Sequence, residues 1–199
     1  MAEKIFILDG TAMLYRSFYG LTPLKTRSGI PTQAVYGFFR AVRQLIESYD
    51  PKKIAITWDR GPSIRVKEYS EYKSQRLSPP DELLTQKKLI ENIAEEMGLF
   101  QIGMDGFEAD DLIATIALAS KKNEVVIVTS DKDLFQLISE NVKVWDPAKR
   151  EMIDEDQFFE KFGFGPEKLR FYHSILGDAS DNIPGVKGIG KKGANELAI

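Results

Sequence analysis

The sequence predicts an α/β fold in which a mainly parallel central sheet is flanked by helices. Three short apolar runs rich in β-branched residues, at 3–9, 53–57 and 125–129, have the length and composition of buried strands. Segments with helical spacing of apolar residues lie between them, and strands that alternate with helices are typical of a parallel sheet. An aspartate ends or closely follows each run, which would place it at the carboxyl edge of the sheet, where open α/β folds bind ligands.

Individual elements follow from periodicity and from breaker residues. Helix 32–49 has apolar side chains at helical spacing and ends before Asp50-Pro51. Asp81 is expected to cap the helix that Gly98 ends. The predicted elements are, in chain order, strand 3–9, helices 11–19 and 32–49, strand 53–57, helix 81–97, strand 99–102, helix 108–120, strand 125–129, helix 131–139, strand 142–145, and helices 154–162, 166–176 and from 191 onward.

Composition limits the classes of function. With 199 residues, 43% of them hydrophobic and 29% charged, the chain has the size and balance of a globular protein with a real core. It has no cysteine and a single histidine, His173, which excludes disulfides, thiolate chemistry and multi-histidine metal sites. The sequence shows neither a signal-peptide pattern nor an apolar stretch of membrane-spanning length, so a cytoplasmic location is expected.

Charge is unevenly distributed along the chain. The net charge of −3 argues weakly against a nucleic-acid partner. However, residues 60–76 carry five basic side chains against two acidic ones, and Lys187, Lys191 and Lys192 follow with no acid among them. A basic rim around an acidic centre suits a metal-dependent enzyme that acts on a polyanion. The alternative for each basic residue is an ordinary solvated side chain.

Nine acidic residues in five clusters are the candidate metal ligands. Carboxylates crowded at one sheet edge would repel one another unless cations lay between them, and carboxylate oxygens suit hard cations such as Mg²⁺. Two such ions can act on a phosphodiester by activating water and by stabilising the charge that grows on the phosphate. The nine residues are Asp9, Asp59, Glu108, Asp110, Asp111, Asp131, Asp133, Asp178 and Asp181.

Each of these acids also has a plainer interpretation. An aspartate after a strand is most often a helix N-cap, which is a role open to Asp131 and Asp110. Asp9 could close a turn with the glycine that follows it. Asp178 and Asp181 are three residues apart, a spacing that would let them share one helical face.

A phosphatase motif is a competing interpretation of the first cluster. The sequence that begins at Asp9 resembles the start of an aspartyl-phosphate phosphatase motif. That motif needs a second aspartate two residues after the nucleophile, where this chain has Thr11. The phosphatase interpretation is therefore disfavoured.

Six strings spread over nearly the whole chain carry a resemblance to a known family. They are ILDGTAMLYRSFY, ITWD, EYKSQR, FEADDLIATIA, IVTSDKDLFQL and LGDASDNIPGVKGIGKKGA. Together they resemble the 5′ nuclease domain of bacterial DNA polymerase I and the related flap endonucleases. The resemblance implies a PIN-like nuclease core at 1–162 with a helical arch at about 60–80. A helix–hairpin–helix element for DNA binding would follow at 163–199, and we expect it to continue beyond Ile199.

The resemblance also implies a role for each acid and a set of cofactors. Asp9, Asp59, Glu108 and Asp110 would serve one metal, Asp131, Asp133 and Asp181 the second, and Asp111 and Asp178 would support them. The implied cofactors are two Mg²⁺ ions, with Mn²⁺ as a substitute, and K⁺ at the helix–hairpin–helix turn.

Basic and aromatic residues also match DNA-binding parts of the family. Lys73, Arg76 and Arg65 match basic arch residues that would neutralise charge at the scissile phosphate, and the alternatives are phosphate tracking only or no contact with DNA at all. Tyr15 matches an aromatic residue on which a base stacks, and the alternative is an ordinary core tyrosine. The other implied DNA contacts are Arg16 and, in a glycine-rich turn suited to holding phosphate, Gly185, Lys187, Gly188, Gly190, Lys191 and Lys192.

The function implied by the resemblance is that of a divalent-metal-dependent, structure-specific 5′ nuclease. Such a 5′-3′ exonuclease and flap endonuclease would act in bacterial primer removal and DNA repair, at the nucleoid. Its partners would be DNA with 5′ flaps, nicks or free 5′ ends, and RNA primers in RNA–DNA hybrids. A DNA-binding module without cleavage and a metal-dependent ribonuclease are the alternatives. A monomer is expected, either stand-alone or joined to a polymerase domain.

Overall fold

A six-stranded sheet lies at the centre of the structure, a computed structural model that describes residues 3–199. The strands are β1 Lys4–Asp9, β2 Lys53–Arg60, β3 Phe100–Asp105, β4 Glu124–Val128, β5 Val142–Asp146 and β6 Glu151–Ile153. Their order across the sheet is β3-β2-β1-β4-β5-β6, and every neighbouring pair is parallel except β5 and β6. Five strands therefore end at one carboxyl edge, and the predicted mainly parallel α/β fold is confirmed.

Helices cover both faces of this sheet. The helices of residues 3–199 are α1 Gly10–Gly20, α2 Gln33–Tyr49, α3 Arg65–Glu68, α4 Asp81–Glu96, α5 Ala109–Ala119, α6 Glu155–Phe162, α7 Leu169–Leu176 and α8 Lys191–Ala198, of which α3 buries no side chain. Two 3-10 turns occur at Asp133–Leu137 and Pro166–Lys168. In residues 3–199, no helix combines the length and apolar character needed to cross a membrane.

The alternation of side chains along β1 divides the core between the two faces. Ile7 packs on one face, whereas Phe6 and Leu8 pack on the other. The Ile7 face is covered by α5, α6, α7 and α8, and the opposite face by α1, α2 and α4. Residues from the C-terminal segment join the Ile7 cluster, so residues 163–199 share the core of the sheet; they include Leu169, Tyr172, Ala194 and Ala198.

Two predicted elements differ in the structure. The helix expected at 131–139 is a 3-10 turn, because the Asp131 side chain accepts a hydrogen bond from the Asp133 N–H at 2.9 Å and so competes with helical bonding. The cap expected at Asp81 is also wrong, since Pro80 is the N-cap and makes no side-chain hydrogen bond to the helix. Asp81 instead lies in the first turn, where its charge suits the helix dipole.

Asp178 and Asp181 do not share a helical face, contrary to expectation. Helix α7 ends at Leu176, and Gly177 follows with a positive φ of 76°. The chain then forms a tight turn in which Asp178 and Ile183 exchange two backbone hydrogen bonds of 2.9 and 2.8 Å. Both acids therefore project from a turn whose backbone is fixed by its own hydrogen bonds.

Residues 60–80, here called the arch segment, contain little regular structure. Helix α3 is one turn long, and Tyr72 is the only buried side chain of the segment. This polar, largely exposed composition agrees with the expectation that the segment is not part of the core. Two of its backbone contacts reach other parts of the site, from Ile64 N–H to Gly106 O at 2.9 Å and from Lys73 N–H to Asp181 O at 3.2 Å.

Candidate metal centre

Asp9 lies at the middle of the carboxyl edge and links two elements. Its Oδ1 accepts a hydrogen bond from the Ala12 N–H at 3.0 Å, which caps α1, and its Oδ2 accepts one from Thr129 Oγ1 at 2.9 Å. Burial raises the pKa of Asp9 to about 7, with the charges of Asp131 and Asp59 adding to the effect and the two hydrogen bonds opposing it. This carboxylate is therefore both an N-cap and a titratable group whose charged form is disfavoured.

Asp59 connects the edge of β2 to the start of α5. Its N–H donates to Thr11 Oγ1 at 2.9 Å, and its Oδ1 accepts from the Ala109 N–H at 2.6 Å. The second hydrogen bond satisfies one of the free N–H groups that open a helix. The same geometry brings Asp59 next to the acidic first turn of α5.

The start of α5 carries the tightest group of acids. In residues 3–199, Glu108, Asp110 and Asp111 are the one group of three or more acids whose ligand oxygens lie within 4.8 Å of one another. Asp111 Oδ2 accepts from the Glu108 N–H at 3.0 Å, which fixes the turn. Burial raises the pKa of Asp110 to about 6, and the charges of Asp111 and Glu108 raise it further.

The loop after β4 holds the next pair of acids through Thr129. The Thr129 hydroxyl accepts from the Asp131 N–H at 3.0 Å while it donates to Asp9, so one hydroxyl bridges two of the predicted clusters. Asp133 follows in the 3-10 turn, where burial and then the charge of Asp131 raise its pKa. His173 Nδ1 lies 3.5 Å from Asp133 Oδ1.

The turn after α7 presents the last two acids in different environments. Asp178 Oδ1 accepts hydrogen bonds from the Ser180 N–H at 2.8 Å and from the Ser180 hydroxyl at 2.7 Å. Partial burial would raise the pKa of Asp178, but these hydrogen bonds outweigh it and the pKa is lowered. Asp181 instead faces the arch segment and accepts a hydrogen bond from Arg76.

Three cations of the arch segment bind acids of the centre. Arg65 donates to both oxygens of Asp111 at 2.9 and 2.5 Å and to Glu108 at 2.7 Å. Lys73 donates to Glu108 and lies 3.7 Å from Asp181, and Arg76 pairs with Asp181. Lys73 has a positive φ of 54°, which is unfavourable for a residue with a side chain and indicates that these contacts hold the backbone in place.

Seven of the nine acids therefore fall into two main groups. The paired acids, Glu108, Asp111 and Asp181, each contact a lysine or arginine of the arch segment. The unpaired acids, Asp9, Asp110, Asp131 and Asp133, have no lysine or arginine within 4.0 Å in the described part of the chain. Burial and mutual repulsion raise the pKa of Asp9, Asp110 and Asp133.

A cavity of about 530 Å³ separates the arch segment from α7 and exposes part of this centre. Asp110, Asp133, Asp178 and Asp181 line it, and these acids, which are distant in sequence, meet only after α5 and the turn after α7 are brought together. Arg65 also lines the cavity, from the arch segment. Acids from separate clusters thus share one open space next to a basic side chain.

The donor set fits divalent cations. All donors are carboxylate oxygens, which Mg²⁺ and similar hard ions prefer. Raised pKa values at Asp9 and Asp110 show that negative charge is disfavoured there, and a cation among these acids would favour the charged form. The family resemblance assigns Asp9, Asp59, Glu108 and Asp110 to one metal. The close group at the start of α5 contains Asp111 instead of Asp9 or Asp59, so close contacts alone do not reproduce this division of the ligands.

Comparison with known proteins decides the family. The model of the 5′-3′ exonuclease, N-terminal resolvase-like domain, matches residues 4–163. A 5′-3′ exonuclease of Aquifex aeolicus is 40% identical over 195 residues, which cover 96% of this chain and 68% of that protein. The chain belongs to the 5′-3′ exonuclease family. The resemblance noted in the sequence is thereby confirmed.

Two further comparisons extend the family relationship. The thermostable DNA polymerase I of Thermus thermophilus is 39% identical over 197 residues, which cover 98% of this chain but 24% of the polymerase. A bacteriophage T5 flap endonuclease in a pseudo-enzyme–product complex with DNA and metal ions has the same fold, with a TM-score of 0.75 at 23% identity. That match covers 98% of this chain and 74% of the T5 chain. This chain thus spans about two thirds of one exonuclease relative and about a quarter of a polymerase relative.

The glycine-rich turn of this 5′-3′ exonuclease family member lies beside α7. A Cβ atom at Gly185 would lie 2.2 Å from Leu176 O, so only glycine allows this close approach of the two segments. Gly188 has a positive φ of 86°, and α8 begins at Lys191 immediately after Gly190. Lys187 and Lys192 are exposed, which leaves the turn open to a ligand.

Tyr15 and Arg16 lie on α1 outside the core. Tyr15 is 38% exposed, so the alternative of an ordinary core tyrosine does not hold. Partial burial raises the pKa of Tyr15, and the nearby charges of Asp59 and Arg76 act on it in opposite directions. Tyr15 is therefore next to the centre. Arg16 instead lines a separate cavity between α1, α2 and the turn that follows β5.

Three further residues support the centre and were not predicted. Thr129 bridges Asp9 and Asp131, and the Tyr72 hydroxyl donates to Glu108 at 2.8 Å. Burial raises the pKa of Tyr72, and this hydrogen bond raises it further. Asp146 is 5% exposed, ends β5 and accepts from the Ser130 hydroxyl at 2.9 Å. The signal for Asp146 was present, since it too follows a run of strand-forming residues, but Lys143 interrupts that run.

Proposed function

We propose that the chain is a divalent-metal-dependent, structure-specific 5′ nuclease that acts as a 5′-3′ exonuclease and flap endonuclease. The observation that carries the proposal is the contact between the arch cations Lys73, Arg76 and Arg65 and the acids at the carboxyl edge. A phosphodiester held by this centre would meet acidic metal ligands and basic side chains at the same point. Hydrolysis of DNA near the junction of a 5′ single strand and a duplex, with 5′-phosphate products, is the reaction that this arrangement supports.

The nine acids would hold two Mg²⁺ ions, for which Mn²⁺ can substitute. Bound metals would supply activation of water and stabilisation of charge on the phosphate. Asp9, Asp59, Glu108 and Asp110 would serve one ion, Asp131, Asp133 and Asp181 the other, with Asp111 and Asp178 in support. Thr129 keeps Asp9 and Asp131 in register, because its hydroxyl bonds to both residues.

The arch cations would change partner when DNA binds. Lys73 lies beside Glu108 and Asp181, which we assign to different metals, and Arg76 pairs with Asp181, so both cations can approach a phosphate bound between the metals. A guanidinium or ammonium group there would neutralise the charge that develops in the transition state. Arg65 is bound to Asp111 through two nitrogen atoms, so we assign it the additional role of orienting the first turn of α5.

DNA would be held by shape and by phosphate contacts. Tyr15 would stack on a base beside the centre, and Arg16 would contact the backbone. The turn from Gly185 to Gly190, with Lys187, Gly188, Lys191 and Lys192, would hold duplex phosphates, with K⁺ at the turn. We assign the core to 1–162, with the arch at about 60–80, and the helix–hairpin–helix element to 163–199.

The cellular role that follows is removal of RNA primers and displaced 5′ flaps during bacterial replication and repair. The substrates would be DNA with 5′ flaps, nicks or free 5′ ends, and RNA–DNA hybrids. The protein would act as a monomer in the cytoplasm, alone or joined to a polymerase domain.

Cleavage of a 5′-labelled flap DNA by the 199-residue chain tests this function. We expect release of the flap near the junction with Mg²⁺ and none with EDTA. An RNA flap of the same geometry serves as the comparison for a ribonuclease. Binding of flap DNA without any metal-dependent cleavage would instead support the DNA-binding module, and preferential cleavage of RNA would support the ribonuclease.

A further inference from the structure

The single histidine of the chain lines the cavity between the arch segment and α7. His173 lies on α7, and Arg170 and Ser174 of the same helix line the cavity with it. Positions three and four residues apart share one face of a helix, so this face of α7 is turned towards the cavity. His173 therefore shares an open space with acids of the metal centre, and the function proposed above gives it no task.

Packing against the core sets the position of His173. Helix α7 and the 3-10 turn Asp133–Leu137 contribute to one buried cluster, with Leu169, Tyr172 and Ile175 from the helix and Leu134 and Phe135 from the turn. The ring of His173 lies edge to face against that of Tyr172, with centroids 5.5 Å apart and an interplanar angle of 74°. Because both elements are anchored in the core, the imidazole is held beside Asp133, the first residue of the turn.

The distance between His173 and Asp133 suits two ligands of one cation. His173 Nδ1 lies 3.5 Å from Asp133 Oδ1, which is longer than the usual N–H···O hydrogen bond of about 2.7–3.2 Å. Ligand atoms that are each about 2.1 Å from one ion lie about 3.0 Å apart in octahedral coordination and about 3.4 Å apart in tetrahedral coordination. The nitrogen and the carboxylate oxygen could therefore bind the same ion after a small adjustment.

Asp133 is free to share an ion with an imidazole. It has no lysine or arginine within 4.0 Å in the described part of the chain, and no hydrogen bond within residues 3–199 reaches its carboxylate oxygens. A neutral imidazole is a common metal ligand that brings no negative charge. It would thus extend the ligand set without adding to the repulsion between the acids.

We propose that His173 is a nitrogen ligand of the second metal ion, beside Asp133, and that it makes this position prefer a transition-metal ion such as Mn²⁺ to Mg²⁺. Imidazole nitrogen suits first-row transition metals, whereas Mg²⁺ takes oxygen ligands and keeps several waters. Mn²⁺ binds such donors least strongly in its series, so a preference for Mn²⁺ is a strict test. The assignment rests on the proposed function and extends it to the choice of metal.

Pulsed electron paramagnetic resonance of Mn²⁺ bound to the untagged wild-type chain tests the ligand without any substitution. The protein is prepared at pH 8, because a histidine ligand must be neutral, once with ordinary histidine and once with ¹⁵N-labelled histidine. We expect a hyperfine coupling from a directly bound nitrogen, which changes from the ¹⁴N to the ¹⁵N pattern on labelling. The chain has one histidine, so a signal that responds to the label comes from His173.

Substitution of His173 measures the selectivity. In His173→Ala we expect the Kd of one Mn²⁺ site to rise at least about tenfold and that of the other to stay unchanged, since even residues that only orient ligands contribute about 10- to 100-fold. The Kd for Mg²⁺, from isothermal titration calorimetry, should change by less than about twofold, because water can replace the imidazole on Mg²⁺. His173→Gln should behave like His173→Ala. Ser174→Ala, which changes the next residue of the same cavity wall, should behave like the wild type.

The outcomes separate this assignment from the proposed function. Mn²⁺ bound without a nitrogen coupling would overturn the proposal, as would an equal loss of Mn²⁺ and Mg²⁺ affinity in His173→Ala. A lower melting temperature of His173→Ala in EDTA with an unchanged Mn²⁺ Kd would give His173 a structural role only. A wild-type chain that shows the coupling but never cleaves flap DNA contradicts the nuclease function and leaves the histidine ligand standing. A chain that binds no Mn²⁺ contradicts both.

Discussion

The paired and unpaired acids of the metal centre differ in how their charge is balanced. Glu108, Asp111 and Asp181 are neutralised by Arg65, Lys73 and Arg76 of the arch segment. Asp9, Asp110 and Asp133 have no such partner in the described residues, and burial with mutual repulsion raises their pKa. Lysine and arginine side chains therefore balance the negative charge of the paired acids, whereas the charge of the unpaired acids must be balanced by protons or by metal ions.

This difference suggests that the two groups have different tasks. The unpaired acids are held by backbone and hydroxyl hydrogen bonds, so their positions do not depend on the arch segment. The paired acids are positioned by side chains that lie on an exposed segment and that would also meet the substrate. Metal affinity should thus depend mainly on the unpaired acids, and the response of the centre to bound DNA should depend on the paired acids.

The largest effect is expected from Asp131→Ala, which removes an unpaired acid. Loss of a metal ligand should lower kcat by at least about a thousandfold, since metal charge contributes several kcal/mol to transition-state stabilisation. DNA affinity, measured by anisotropy in EDTA, should change little. Full cleavage activity in this variant would contradict the assignment of Asp131 as a ligand.

Lys73→Met should have the next largest effect and tests whether the arch cations only neutralise acids. A cation at the scissile phosphate contributes about 10²- to 10³-fold to kcat, as do other groups that stabilise transition-state charge. We therefore expect a loss of this size in kcat at saturating Mg²⁺, measured in single-turnover assays.

Thermal unfolding of Lys73→Met in EDTA provides the control. A cation that merely balances Glu108 would lower the melting temperature of the metal-free protein and leave kcat unaltered at saturating metal. That result would assign Lys73 a structural role. Lys67→Met, which changes another exposed lysine of the arch segment, should affect neither measurement.

The pH dependence of stability should expose the unpaired acids directly. Because the folded pKa of Asp9 is about 7 and that of Asp110 is about 6, both above the usual 3.8, the folded protein binds more protons than the unfolded chain between these values. Stability in EDTA should therefore fall as pH rises from about 5 to about 7, by on the order of 2 kcal/mol for Asp9. Urea unfolding at several pH values measures this slope.

Two changes should flatten that slope. Asp9→Asn removes the titrating carboxyl, and Mg²⁺ favours the charged form of the acids that remain. The lowered pKa values of Asp111 and Asp178 add stability that is lost only below the usual carboxyl range, outside this window. A slope that Mg²⁺ leaves unchanged would show that these acids do not bind the metal.

The smallest of these effects is expected from Asp146→Asn, which acts through the loop that carries Asp131. Residues that orient metal ligands typically contribute about 10- to 100-fold to metal affinity, and the asparagine retains one oxygen acceptor, so we expect a loss of about tenfold. Mn²⁺ titration followed by electron paramagnetic resonance measures the Kd. Ser130→Ala should give a similar loss, and wild-type affinity in both variants would remove Asp146 from the centre.

Much of the fold and site was predictable because local patterns carried the information. The runs that became β1, β2 and β4 were recognised by their β-branched content, and parallel pairing then required Asp9, Asp59 and Asp131 to meet at one edge. Prediction failed where a short-range hydrogen bond overrode the pattern, as in the 3-10 turn after Asp131 and the turn that contains Asp178. It also missed Asp146, whose strand includes the charged Lys143.

The sequence by itself determined that Asp9, Asp59 and Asp131 gather, since hydrophobic periodicity predicts parallel strands and these acids follow those strands at their carboxyl ends. Only the tertiary structure decided which of the nine acids are paired with cations. The Arg76–Asp181 contact joins residues 105 positions apart. Such contacts depend on the packing of elements against a shared core, and no local pattern in the chain records how exposed side chains from distant segments will meet.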